Sequence, residues 1–130
     1  MQTEKENKIQ TAYDYLKNHQ ELKEFDFKID KYGNLEITDK KTLESYYKDT
    51  YRDYSLFISN EKKFCLQFVS QMGYRDQFDS DDANELHSKD IEFRIYKNMI
   101  YLTLDVQDET TLEQLVEYIK FMADYLLQFD

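Results

Sequence analysis

Seven carboxylates crowd residues 76–92: Asp76, Asp79, Asp81, Asp82, Glu85, Asp90 and Glu92, with Lys89 the only basic residue among them. Such a cluster either chelates a hard cation or stands in solvent as a field for a basic partner, because like charges this close repel and resist burial. Spacing decides between the two. A calcium loop needs oxygen ligands at its first, third and fifth positions, glycine at the sixth and a bidentate glutamate at the last. Counted from Asp79, the fifth and sixth positions are Ala83 and Asn84 and the last is Asp90. The stretch therefore reads as a surface for a basic partner, with a solvated loop that keeps the chain soluble as the plain alternative.

Catalytic chemistry has no comparable starting point. Gly33 and Gly73 are the only glycines, so no glycine-rich phosphate loop can be written. His19 and His87 stand singly, neither with a second histidine at metal-ligand spacing, and both read as surface residues. Cys65 is the only cysteine, which excludes an internal disulfide or a cysteine-built zinc site, and no histidine lies near it in the chain to activate it. Carboxylates are too abundant for any pair to point to glycoside hydrolysis. The expectation is a non-enzyme with no cofactor and no metal.

A second binding feature is tyrosine. Tyr46, Tyr47, Tyr51 and Tyr54 recur at helical spacing with Leu43 and Thr50, so the apolar face of that segment is mostly phenol. A small core cannot hold them all with their hydroxyls satisfied, and tyrosine suits binding surfaces because it joins apolar area to a polar tip. The plain reading has two or three of them covering the edge of a sheet. The candidate interface combines Tyr46, Tyr47 and Tyr51 with the seven acids.

Charge along the chain sharpens this. Residues 1–75 carry thirteen acidic and thirteen basic side chains, whereas residues 76–130 carry fourteen acidic and four basic, so the whole net charge of −10 lies in the second part. A nucleic-acid binder needs the opposite sign.

The elements that must hold these residues follow from periodicity. Thr3 with Glu6 starts a helix running to about Gln20 on Ile9, Ala12, Tyr13 and Leu16. Phe25 to Ile29 and Leu35 to Ile37 alternate about a turn at Tyr32-Gly33-Asn34. Asp39 caps the tyrosine helix, which reaches Tyr54, and the runs YSLFIS and FCLQFVS form a second hairpin. Ser80 caps one or two helical turns through Asp81, Asp82 and Glu85. Ile91 to Tyr96 and Ile100 to Val106 make a third hairpin about Lys97-Asn98, and Thr110 with Glu113 opens a helix on Leu112, Leu115, Val116, Ile119, Met122, Ala123 and Leu126. The hairpin links are too short for parallel crossovers. The expected fold is a single α+β domain over 1–130: an antiparallel sheet of about six strands from three hairpins, with the N- and C-terminal helices packed on one face.

With 41% hydrophobic and 16% aromatic residues the chain has the apolar area to fold despite 34% charged residues. No apolar run approaches a membrane span and the start MQTEKENKIQ lacks the order of a signal peptide, so a cytoplasmic location is expected. In size, charge, lack of catalytic groups and the acidic patch from Asp76 to Glu92, the chain resembles the small acidic immunity proteins that bacteria co-express with antibacterial toxins. That resemblance implies a protein inhibitor that binds a basic toxin, a nuclease among the possibilities, one to one and without touching nucleic acid. Two rivals remain. One is a secretion-chaperone-like dimer that binds an effector segment, since its ending hairpin and helix are similar. The other is a phage-encoded acidic mimic of DNA, which would also use the outward Glu113, Glu117 and Asp124. The chain is expected to be a monomer or a homodimer.

Overall fold

The computed structural model describes residues 3–40, 51–59, 63–72, 78–105 and 112–127. Helix α1 (Glu4–Lys17) opens on Thr3, whose side chain accepts from the Glu6 N–H at 3.1 Å, and buries Ile9, Ala12 and Leu16. It ends before the expected Gln20, because a 3-10 turn at Gln20–Leu22 redirects the chain so that Leu22 enters the core. Strands β1 (Phe25–Ile29) and β2 (Leu35–Asp39) then pair antiparallel, Ile29 opposite Leu35. Their connection is built by Asp30, whose Oδ1 accepts from the Tyr32 and Asn34 N–H groups at 2.8 and 3.0 Å. Gly33 completes it at φ 78°, the left-handed residue that a three-residue hairpin loop requires.

The heart of the expected tyrosine helix, including Leu43, Tyr46, Tyr47 and Thr50, lies outside the described residues. Its last part is corrected, since Arg52, Asp53 and Tyr54 belong to strand β3 (Arg52–Ile58). Tyr54 and Leu56 are buried two residues apart with Ser55 between them less so, and period two prevails over the helical spacing that links Tyr54 to Tyr47 and Tyr51. Strand β4 (Phe64–Gln71) pairs with β3, and the Ser59 N–H donates to the Lys63 carbonyl at 2.8 Å as the ladder closes.

Helix α2 (Ser80–Ser88) leads into β5 (Glu92–Tyr96), and β6 (Met99–Asp105) follows a two-residue turn in which Lys97 and Asn98 both have positive φ. Helix α3 (Leu112–Leu127) completes the described structure. The six strands form one antiparallel sheet in the order β1-β2-β3-β4-β6-β5. The α+β fold and the sheet expected from sequence are those observed. The crossover is explained by side chains: Ile100, Leu102 and Leu104 of β6 are all buried and claim the place beside β4, whereas β5 buries none of its five residues fully and takes the edge.

One face of the sheet carries Leu35, Ile37, Tyr54, Leu56, Leu66, Phe68, Ile100 and Leu102, which meet Leu16 of α1 and Leu115, Ile119, Met122 and Leu126 of α3 in a single core. Tyr54 stacks on its cross-strand neighbour Phe68 with centroids 4.2 Å apart. Among the described residues no helix is long and apolar enough to cross a membrane.

Candidate functional site

The acidic stretch separates into carboxylates that build structure and carboxylates that face out. Asp79, and not Ser80, is the N-cap of α2. Its Oδ1 accepts from the Asp82 N–H at 3.0 Å while Asp82 Oδ2 accepts from the Asp79 N–H at 3.1 Å, a reciprocal capping box that satisfies two donors at once. Ser80 loses the role because a cap one residue earlier gains this reciprocal bond. The Asp82 N–H beside it holds the Asp79 carboxyl below the usual carboxylate range. Asp82 is further occupied by Tyr125, whose hydroxyl donates to Oδ1 at 3.1 Å and ties α2 to α3.

Asp81 and Glu85 are exposed and stand one turn apart on the outer side of α2, opposite the buried Leu86. Two like charges at this spacing cost a few tenths of a kcal/mol, with no lysine or arginine within the helix to offset them. The helix ends on a Schellman motif. The Asp90 N–H donates to the His87 carbonyl and the Ile91 N–H to the Leu86 carbonyl, both at 3.0 Å, with Leu86 and Ile91 buried against the core. Asp90 therefore sits at φ 60°, in the left-handed conformation usually given to glycine.

Directly beyond this turn lies a groove of about 530 Å³, where Ser88, Lys89 and Asp90 face Glu117, Tyr118, Phe121 and Asp124 of α3. The Lys89 ammonium lies 4.7 Å from the centroid of the Phe121 ring. Lys120, also at the groove, is bonded at 3.1 Å to Glu21, which raises its pKa above the usual lysine value, with Glu117 and Asp124 adding to the effect. Sequence reading placed Glu117 and Asp124 outward but missed Lys89, Tyr118 and Phe121. The signal for them is positional: Glu117, Tyr118, Phe121 and Asp124 recur at i, i+1, i+4 and i+7, a stripe beside the apolar one.

Not every expected interface residue joins this surface. Phe93 packs against His87 and Phe78, ring centroids 5.3 and 4.6 Å away, so the α2 side of β5 is the Phe93 side and Glu92 projects from the opposite face of the sheet. Tyr51 is 55% exposed, but its row of the sheet is Gln71, Met99 and Tyr96, at the far end of β5 from Glu92. Tyr51 and Glu92 thus stand apart on the sheet. Asp76, Tyr46 and Tyr47 lie outside the described residues.

A second polar cluster joins α1 to α3. The Tyr15 hydroxyl and His19 Nε2 both bond Glu113, and His19 Nδ1 accepts from the Glu21 N–H at 3.1 Å. His19 is therefore not a simple surface residue, and Glu113, exposed as expected, engages one carboxylate oxygen in these two bonds. His19, Glu21 and Glu113 bring potential metal ligands within 4.8 Å of one another. The bond to Nδ1 places the proton of the neutral ring on Nε2, leaving no ring lone pair for a cation, and Lys120 already holds Glu21. The cluster is a hydrogen-bonded latch. Tyr15 lowers the Glu113 pKa, with His19 adding to this, and the Tyr15 pKa is raised in turn.

Cys65 is buried, and burial first and Asp105 second push its thiol up to about 12, far from the thiolate a nucleophile requires. The chain matches no family model, no curated protein and no solved structure.

Proposed function

We propose that this chain is a non-enzymatic inhibitor of the immunity type, which neutralises a basic toxin domain by direct one-to-one binding in the cytoplasm. The observation that carries the reading is the run of exposed carboxylates from Asp81 and Glu85 on the outer side of α2 to Asp90 in the turn after it, where Asp90 lines a groove walled by Glu117 and Asp124. Tyr125 and Leu86 fix this helix to the body of the protein, so its carboxylates meet a partner already in place and little ordering is lost on binding. A basic nuclease is the partner class this field would draw fastest.

The test is co-expression with the product of a neighbouring toxin gene, followed by mass determination of the complex and stopped-flow association. A one-to-one complex is expected, with association slowed at least tenfold at low salt when Asp81 and Glu85 are both reversed to lysine. Unchanged association kinetics would remove α2 from the interface. A dimer that binds an unfolded segment would favour the chaperone-like reading, which the exposed Ile95 and Tyr96 on edge strand β5 support.

A further inference from the structure

We infer that the groove between the end of α2 and α3 is an arginine socket, filled on binding by one guanidinium group of the basic partner. This deepens the proposed inhibitor function and rests on it. The Phe121 ring is half-buried and already carries a cation on its face, the Lys89 ammonium at 4.7 Å. Lys89 extends from the C-cap of α2, which makes it a tethered stand-in for an incoming side chain.

Three features select a cation there. Glu117 and Asp124 lie one turn before and one turn after Phe121 on α3, so carboxylates bracket the ring along the helix axis. Asp90 adds a third from the opposite wall. The wall itself is the C-terminal end of α2, whose dipole favours positive charge. Lys120, the other cation at the groove, is turned to Glu21.

The shape then favours arginine over lysine. A guanidinium is planar, stacks on a ring, and presents N–H groups along its edges to carboxylates on both sides, whereas an ammonium can lie on the ring or reach one carboxylate.

The probes are N-acetyl-arginine methylamide and its lysine counterpart, titrated at constant ionic strength into the full chain labelled on its aromatic rings and followed by NMR. Saturable shifts at Phe121 and Tyr118 are expected with the arginine probe, several-fold weaker with lysine. Lys89→Ala should tighten the arginine probe about two- to five-fold by freeing the ring, and Phe121→Leu, which keeps apolar volume, should abolish saturation. Equal shifts from both probes, shifts spread over all the acids, or no tightening in Lys89→Ala would each overturn the socket. The readings fail separately: loss of the toxin complex on reversing Asp81 and Glu85, with Phe121→Leu binding the toxin normally, leaves the inhibitor reading and removes the socket.

Discussion

Asp90 and Tyr54 are two residues whose surroundings argue for a different side chain. Asp90 occupies a left-handed position where glycine is at ease, on an exposed turn closed by the backbone bonds of Asp90 and Ile91. Asp90→Gly should therefore raise stability by about 0.5–1 kcal/mol, read as a higher midpoint in urea with unchanged slope. The same change should weaken capture of a basic partner, since the carboxylate is lost from the groove. Strain retained at a surface that binds is a recurring sign of function. Tyr54 is 2% exposed and its hydroxyl has no hydrogen-bond partner among the described residues, and burial holds its pKa well above the ordinary phenol range. Tyr54→Phe keeps the stack on Phe68 and should stabilise by about 1 kcal/mol; a loss of stability would mean that the hydroxyl is bonded in solution.

The helices hold their places through carboxylates, and this makes them sensitive to acid. The Asp79 pKa is depressed by the α2 cap and that of Glu113 by Tyr15 and His19, so each lends stability that is complete above the usual carboxylate range. That contribution disappears as pH falls through the lowered folded-state values. Tyr15 has the opposite sign, with its stabilisation complete below the ordinary phenol range and lost as pH rises through its raised value. Hydrogen exchange at decreasing pH should show α2 losing protection before β4 and β6, and Asp79→Ala should remove most of that pH dependence from α2. Glu113→Gln should return the Tyr15 titration, followed by ultraviolet absorbance, toward the ordinary value. Elements were also what the sequence revealed best. Alternation in Ile100 to Leu104 is strict because one face of β6 must enter the core, and the α3 stripe is wide for the same reason, whereas the alternating run Ile91 to Ile95 buries only Ile91 because β5 is the edge strand. The end of the tyrosine helix was misread because Tyr54 satisfies both periods, and only the pairing of Tyr54 with Phe68 decides between them. The α2 cap was misplaced by one residue because Asp79 and Ser80 are both good caps, and the reciprocal bond from Asp82 depends on geometry that composition does not carry.

At the scale of the molecule, the whole charge excess of −10 is carried by residues 76–130, while residues 1–75 are neutral. Association with a basic partner should slow steeply as salt rises, and the difference between the wild type and the Asp81 and Glu85 reversals should shrink toward nothing near 0.5 M salt, where the screening length is about 4–5 Å. The acidic part of the candidate surface was legible because seven carboxylates in one stretch leave few alternatives. The groove was not, since it joins residues 88–90 to 117–124 through a packing of α2 on α3 that no local pattern encodes. The strand order has a further consequence. Between Gln71 and Met99 the chain makes an excursion through α2 and β5 around the rim of the sheet, then returns to lay β6 beside β4. The exposed carboxylates Asp81, Glu85 and Asp90 are on that detour, whereas Glu117, Phe121 and Asp124 stand on α3, which belongs to the frame. The two walls of the groove are therefore carried by different parts of the chain, so replacing the detour would change one wall and leave the other in place.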